Sequence, residues 1–145
     1  SIPIGASKCF PIQHLVNVLA GVFLGSVYGV SMAFCVSLIR NILGTGSLLA
    51  FPGSMVGAFL GAYLFQKTGR FLLAYIGEVV GTGLIGGTLC YPVAVLLMGK
   101  DVALFFYVLP FLMSTACGTA IAFLLIEFMR RIGLFSYLKR LLDAQ

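Results

Sequence analysis

The sequence predicts an all-α integral membrane protein, a polytopic helical bundle with five spans in its 145 residues. Three observations predict it. The chain is 61% hydrophobic and only 9% charged, whereas soluble domains run near 25% charged. Mean hydropathy is +1.12, and the apolar stretches exceed what one core of this size can bury. The polar segments 44–47, 66–70, 99–101 and 130–145 are all short, so 1–145 reads as a single transmembrane domain with no soluble domain left over.

Turn signals set the elements in order. The apolar run 15–43 is too long for one span of about 20 residues. Leu24-Gly25-Ser26 divides it into helices 10–24 and 26–43. Gly44-Thr45-Gly46-Ser47 is a loop, and Pro52 marks the first turn of a helix running to Gln66. Lys67-Thr68-Gly69-Arg70 is the next turn. Helices 71–98 and 101–129 follow, with Pro92 and Pro110 expected to kink them. The tail 130–145 places Leu134, Leu138, Leu141 and Leu142 at helical spacing around Lys139 and Arg140, the pattern of a helix lying along the inner interface on membrane lipid.

Charge orients these spans. Lys67, Arg70, Arg130, Arg131, Lys139 and Arg140 fall on one side, and only Lys8, Arg40 and the pair Lys100/Asp101 on the other. By the positive-inside rule the 67–70 turn and the C-terminus are cytoplasmic. Ser1 is then outside, although the opening SIPIGASKCFP has neither the charged nor the apolar region of a signal peptide. An upstream helix is therefore expected to be missing from this sequence. The net charge of +5 reflects orientation and anionic lipid, and the basic residues show no nucleic-acid pattern.

Several chemistries find no support. Cys9, Cys35, Cys90 and Cys117 are scattered without metal spacing, and one histidine with one buried glutamate is too little for a metal site. The GTG triplets at 44–46 and 81–83 lack the strand and the GK[ST] of a phosphate loop. No cofactor, no metal and no enzymatic activity are expected. Small residues at four-residue spacing, Gly21-Gly25-Gly29, Gly53-Gly57-Gly61 and Gly77-Gly81, let helix backbones approach closely, within this bundle or against a partner membrane protein.

The polar residues inside the apolar runs are the candidate site. At about 1.5 Å of rise per residue, Asn17 lies about 11 Å and His14 about 15 Å from the cytoplasmic end of their helix, and Glu78 about 11 Å and Thr82 about 17 Å along theirs. Ser37, Arg40, Asn41, Ser54, Ser114, Thr115 and Thr119 occupy the middle and outer half. A carboxylate in a span opposes insertion by roughly 2.5–3.5 kcal/mol and usually faces a cavity or a partner. The expected arrangement is a cavity open to the outside, floored by Glu78 and Asn17, with aromatic walls from Phe10, Phe51, Tyr91, Phe105 and Tyr107. In the alternative, Glu78 pairs with His14 or Asn17 to hold helices together. Arg40 either snorkels to the interface or orients a polar ligand, and a proton relay through His14 and Glu78 stays open. The expected substrate-binding set is Phe10, Gln13, His14, Asn17, Arg40, Asn41, Ser54, Glu78, Thr82, Tyr91 and Ser114.

The turn FLGSVYG after a short helix is similar to a turn of the substrate-binding S components of energy-coupling-factor vitamin transporters. FPIQHLVNVLAG, LIRNILGTGSLLAFPGSMVGA and GEVVGTG resemble, more specifically, the ThiW family, the S component assigned to the thiazole precursor of thiamine. The resemblance covers about residues 2–130. It implies six helices, of which five are present, ligand capture from outside, and docking on a transmembrane T component driven by two ATPase subunits in a bacterial or archaeal plasma membrane. The implied ligand is hydroxyethylthiazole, whose hydroxyl Glu78 is expected to accept. Another vitamin precursor (hydroxymethylpyrimidine or thiamine) and a structural or assembly role are the alternatives.

Overall fold

The computed structural model describes residues 2–4 and 7–144. Ser1, expected on the outside of the membrane, and Gln145 lie outside the described residues. The first elements are a hairpin that the sequence did not announce. Strands β1 (Ile2–Ile4) and β2 (Ser7–Cys9) pair antiparallel with Ile2 opposite Cys9 and Ile4 opposite Ser7. Three residues are too few for the alternation that identifies a strand.

Among the described residues five helices then form the bundle. Helix α1 (Pro11–Leu24) begins with proline in its first turn, where no N–H is needed, and ends at Gly25. The Gly25 backbone, at φ 87°, turns the chain directly into α2 (Ser26–Ile42). Helix α3 (Ala50–Thr68) has Pro52 in its first turn, as expected, and closes on Gly69, whose N–H donates to the Phe65 carbonyl at 2.7 Å. Helix α4 (Phe71–Leu97) and helix α5 (Val108–Arg131) are long and apolar enough to cross a membrane. The amphipathic helix α6 (Leu134–Asp143) follows the Gly133 turn.

Two sequence expectations about these helices are corrected. Helix α5 starts at Val108, not near 101, because 104–107 form turns closed by bonds such as Phe106 N–H to the Ala103 carbonyl at 3.0 Å. Pro110 therefore lies in the first turn of α5 and has no bond to break there. Pro92 does sit inside α4, next to a π-helical stretch Val93–Leu97, and a second such stretch spans Val79–Gly86.

Helix α3 is central, packed between α2 and α4, while α1 rests on α2, α3 and α5. The glycine stripes of α3 and α4 face each other: a side chain on Gly77 would strike Gly61, and one on Gly81 would strike Gly57. Backbones touch there without intervening side chains, the close approach that small residues permit. Burial is inverted relative to a soluble protein. Val27, Leu96 and Phe123 are at least half exposed while Asn17, Ser37, Glu78, Thr82 and Thr115 are sealed inside. One apolar cluster, including Val22, Phe65, Tyr75 and Ile126, closes the bundle toward the 67–70 turn. A smaller one, Leu49, Cys90, Ala94 and Tyr107, lies toward the opposite end. The polar residues lie between the two.

Candidate functional site

The polar layer is built one helix at a time. His14 and Asn17, three apart on α1, share a face, and so do Glu78 and Thr82, four apart on α4. Packing α1 against α4 brings both pairs to one carboxylate oxygen. Glu78 Oε1 lies 2.9 Å from His14 Nδ1 and accepts from Asn17 Nδ2 at 3.0 Å and Thr82 Oγ1 at 3.2 Å. With the carboxylate as acceptor, His14 carries its proton on Nδ1 and keeps Nε2 for another partner. Thr115 on α5 adds a hydrogen bond to the Glu78 carbonyl at 3.4 Å, where the π-helical stretch of α4 begins. Glu78 Oε2, in contrast, has no hydrogen-bond partner among the described residues and lies beside Gly57.

The network continues into α2 and α3. Asn17 Nδ2 also reaches the Ser54 carbonyl at 3.2 Å. Ser54 Oγ donates to the Ala50 carbonyl at 2.7 Å and lies 2.9 Å from Ser37 Oγ, which in turn accepts from Gln13 Nε2 at 2.9 Å. All five helices of the bundle thus contribute to one buried polar layer. Most of its polar atoms are paired, which rigidifies a core, while Asn17 Oδ1 and Glu78 Oε2 have no partner among the described residues.

Above this layer is a cavity of about 490 Å³, within the range of about 300–1,000 Å³ common for small-molecule sites. His14, Gln13 and Ser54 form its floor, and Phe106, Tyr107, Pro110 and Phe111 line the α5 side. The loop 44–47 and Lys100 complete the rim. Phe10 N–H donates to Ser114 Oγ at 2.9 Å, which fixes the hairpin end against α5, and the Arg40 guanidinium lies over the Phe10 ring at 3.5 Å from its centroid. Asn41 Nδ2 holds the loop by bonding the Ser37 and Ser47 carbonyls at 2.8 and 3.1 Å.

The eleven sequence-predicted residues therefore divide. Phe10, Gln13, His14, Arg40, Ser54 and Ser114 line the cavity. Asn17, Glu78 and Thr82 lie beneath it, sealed from it, and Glu78 pairs with both His14 and Asn17 instead of forming the floor itself. Asn41 shapes the rim from behind, and Tyr91 lies half-buried away from the cavity. Of the expected aromatic walls, Phe10 and Tyr107 are present, whereas Phe51, Tyr91 and Phe105 are not among the lining residues. Phe106, Phe111, Pro110 and Lys100 were not foreseen. A signal for the α5 wall existed, since Pro110 and Phe111 lie four and three residues before Ser114 and share its helix face.

Among the described residues no group of three or more His, Cys, Asp or Glu gathers to hold a metal ion. The site offers aromatic surface, hydroxyls, one imidazole nitrogen and two cations, which is equipment for binding.

A family model for thiamine-precursor transporter protein (ThiW) matches residues 1–132. The chain belongs to the ThiW family. No curated protein and no solved structure matches it. As a ThiW protein it is a membrane transporter with a small-molecule substrate.

Proposed function

We propose that this ThiW protein is the substrate-binding subunit of an energy-coupling-factor transporter and captures a thiazole-class thiamine precursor, hydroxyethylthiazole being the reference ligand. It performs no covalent chemistry. The observation that carries this reading is the aromatic cavity over a locked histidine, placed at the end of the bundle opposite the basic 67–70 turn and Arg130 and Arg131. If that basic end is cytoplasmic, the helices cross the membrane several times, the C-terminus is inside, and the cavity opens outward. This is the orientation that uptake into a bacterial or archaeal cell requires.

The mechanism of capture follows from the residues. An aromatic heterocycle stacks against Phe106, Phe111 or Phe10 in a water-poor space, where ring contacts contribute about 0.5–1.5 kcal/mol beyond burial. His14 Nε2 accepts the ligand hydroxyl, with the ring held by Glu78. Glu78 is then a positioning residue that acts through His14. The energy for transport comes from partners, a transmembrane T component and two ATPase subunits, because this chain carries no nucleotide-binding motif.

The test is calorimetric titration of the detergent-purified protein with hydroxyethylthiazole, using thiamine and hydroxymethylpyrimidine as competitors. Thiazole binding that His14→Ala weakens, in a variant whose unfolding transition still lies above the assay temperature, supports the reading. Selective binding of the pyrimidine instead would keep the cavity and reject the thiazole.

A further inference from the structure

The cavity has a charge imbalance that a neutral ligand leaves unanswered. Arg40 and Lys100 both line it, and among the described residues no carboxylate does. Glu78 is sealed beneath the floor and engaged by His14, while Glu127 pairs with Arg130 and Arg131 at 3.2 and 3.3 Å toward the other end of the bundle. Asp101 is exposed and does not line the cavity.

Arg40 is also held in place. Its planar guanidinium stacks on Phe10, its carbonyl accepts from Thr45 and Gly46 N–H at 3.0 and 2.9 Å, and Gly46 packs directly on its backbone and Cβ. Its Nε is enclosed and has no hydrogen-bond partner among the described residues. An arginine that merely snorkels would stand free in water, whereas this one is stacked on an aromatic ring at the edge of a cavity, with its Nε left unpaired. A rigid, planar, permanently charged fork matches a carboxylate or phosphate in two parallel hydrogen bonds.

We propose that the site recognises an anionic oxygen group on its ligand, with Arg40 as the anchor, Lys100 as the second cation, and the heterocycle held between the aromatic walls. The inference rests on the thiazole reading of the cavity and narrows it: the preferred ligand is a thiazole whose side arm ends in a carboxylate or phosphate monoester. A thiazolium cation, such as thiamine itself, meets two like charges and no counter-charge.

The experiment compares three ligands with the same ring by calorimetry: hydroxyethylthiazole, its phosphate monoester, and the thiazole acetic acid with a carboxylate in place of the alcohol carbon. At least one acid is expected to bind about ten- to a hundredfold tighter than the alcohol, the increment of a charge-assisted hydrogen bond. The tighter of the two acids identifies the anion. Arg40→Gln should bring the acid-to-alcohol affinity ratio down toward one, and raising salt should weaken the acids selectively. A melting temperature for each variant distinguishes a misfolded protein, and Lys100→Gln, at an exposed position, repeats the test without disturbing the α2 packing. If the alcohol binds as tightly as both acids, or Arg40→Gln weakens all three equally, the inference is wrong and the thiazole reading stands. If none of the three binds to folded protein, both are wrong.

Discussion

His14 on α1 and Glu78 on α4 meet at 2.9 Å inside the bundle, sixty-four residues apart in sequence, and only His14 reaches the cavity above them. Their division of labour makes sense of a carboxylate at that depth. A charge facing the ligand directly would be costly whenever the cavity was empty. Behind the histidine, three donors hold Oε1 with or without ligand, and only Oε2 is left without a partner among the described residues.

Removing the carboxylate should therefore affect stability first and binding second. Glu78→Ala leaves His14, Asn17 and Thr82 without their acceptor, and breaking a buried pair of this kind costs about 3–5 kcal/mol. Glu78→Gln keeps the shape and one acceptor oxygen, for a smaller loss of about 1.5–3 kcal/mol. Thermal unfolding in detergent measures both. A Glu78→Gln protein with an unchanged melting temperature and abolished ligand binding would contradict the buried-network role.

Much of this arrangement was legible in the sequence, for specific reasons. The placement of Glu78 with Asn17 and His14 followed from helical rise and from turns that Gly25 and Gly69 mark clearly. Thr82 followed from four-residue spacing. The vertical order did not follow: residues at similar depth can line a cavity or lie below its floor depending on helix rotation, which packing decides. Hence Glu78 was expected as the floor, and Gln13, His14 and Ser54 form it instead. The aromatic wall was misread for a different reason. The sequence predicts helix over 101–107, whereas in the turns present there Phe106 and Tyr107 line the cavity and Phe105 does not.

The glycine stripe of α3 makes a sharper test of packing than any apolar residue. A methyl group on Gly57 would collide with Thr82 Oγ1 and press on Glu78 Oε2. Both helices are pinned at this level by neighbouring glycine contacts, so neither can simply retreat. Gly57→Ala should destabilise by about 1–3 kcal/mol, the usual cost of overpacking. It should also weaken ligand binding by displacing the network under His14. Ser31→Ala, on the exposed face of α2, is the control expected to change neither.

The amphipathic helix α6 docks through one aromatic residue. Phe135 lies with its ring 5.0 Å from Phe23 and 5.3 Å from Phe71, joining the tail to α1 and α4. The side chain is only half-buried, so Phe135→Ala should cost about 1–2 kcal/mol, below the 3–5 kcal/mol of a fully buried phenylalanine. Because the cavity lies at the other end, ligand affinity should be unchanged. Proteolysis at 130–133 should accelerate in the variant as α6 separates from the bundle, and equal cleavage rates would show that α6 is held by something other than this cluster.

Phe10 connects the hairpin, Arg40 and the cavity, and its replacement separates ring stacking from charge. Phe10→Leu retains an apolar side chain and the backbone N–H that donates to Ser114 Oγ, so the chain end should stay in place. What it removes is the face under the Arg40 guanidinium, a cation–π contact of about 0.5–2 kcal/mol depending on how far it is desolvated. Arg40 would then sample other rotamers and lose its fixed aim into the cavity. Affinity for a thiazole ligand should fall about three- to thirtyfold, corresponding to roughly 0.7–2 kcal/mol. The loss should appear mainly as faster dissociation, since the entry route is unaltered. Stopped-flow measurement of both rates resolves this. A variant that slows association instead would place Phe10 on the path into the cavity, and the stacked pair would then be a gate on entry.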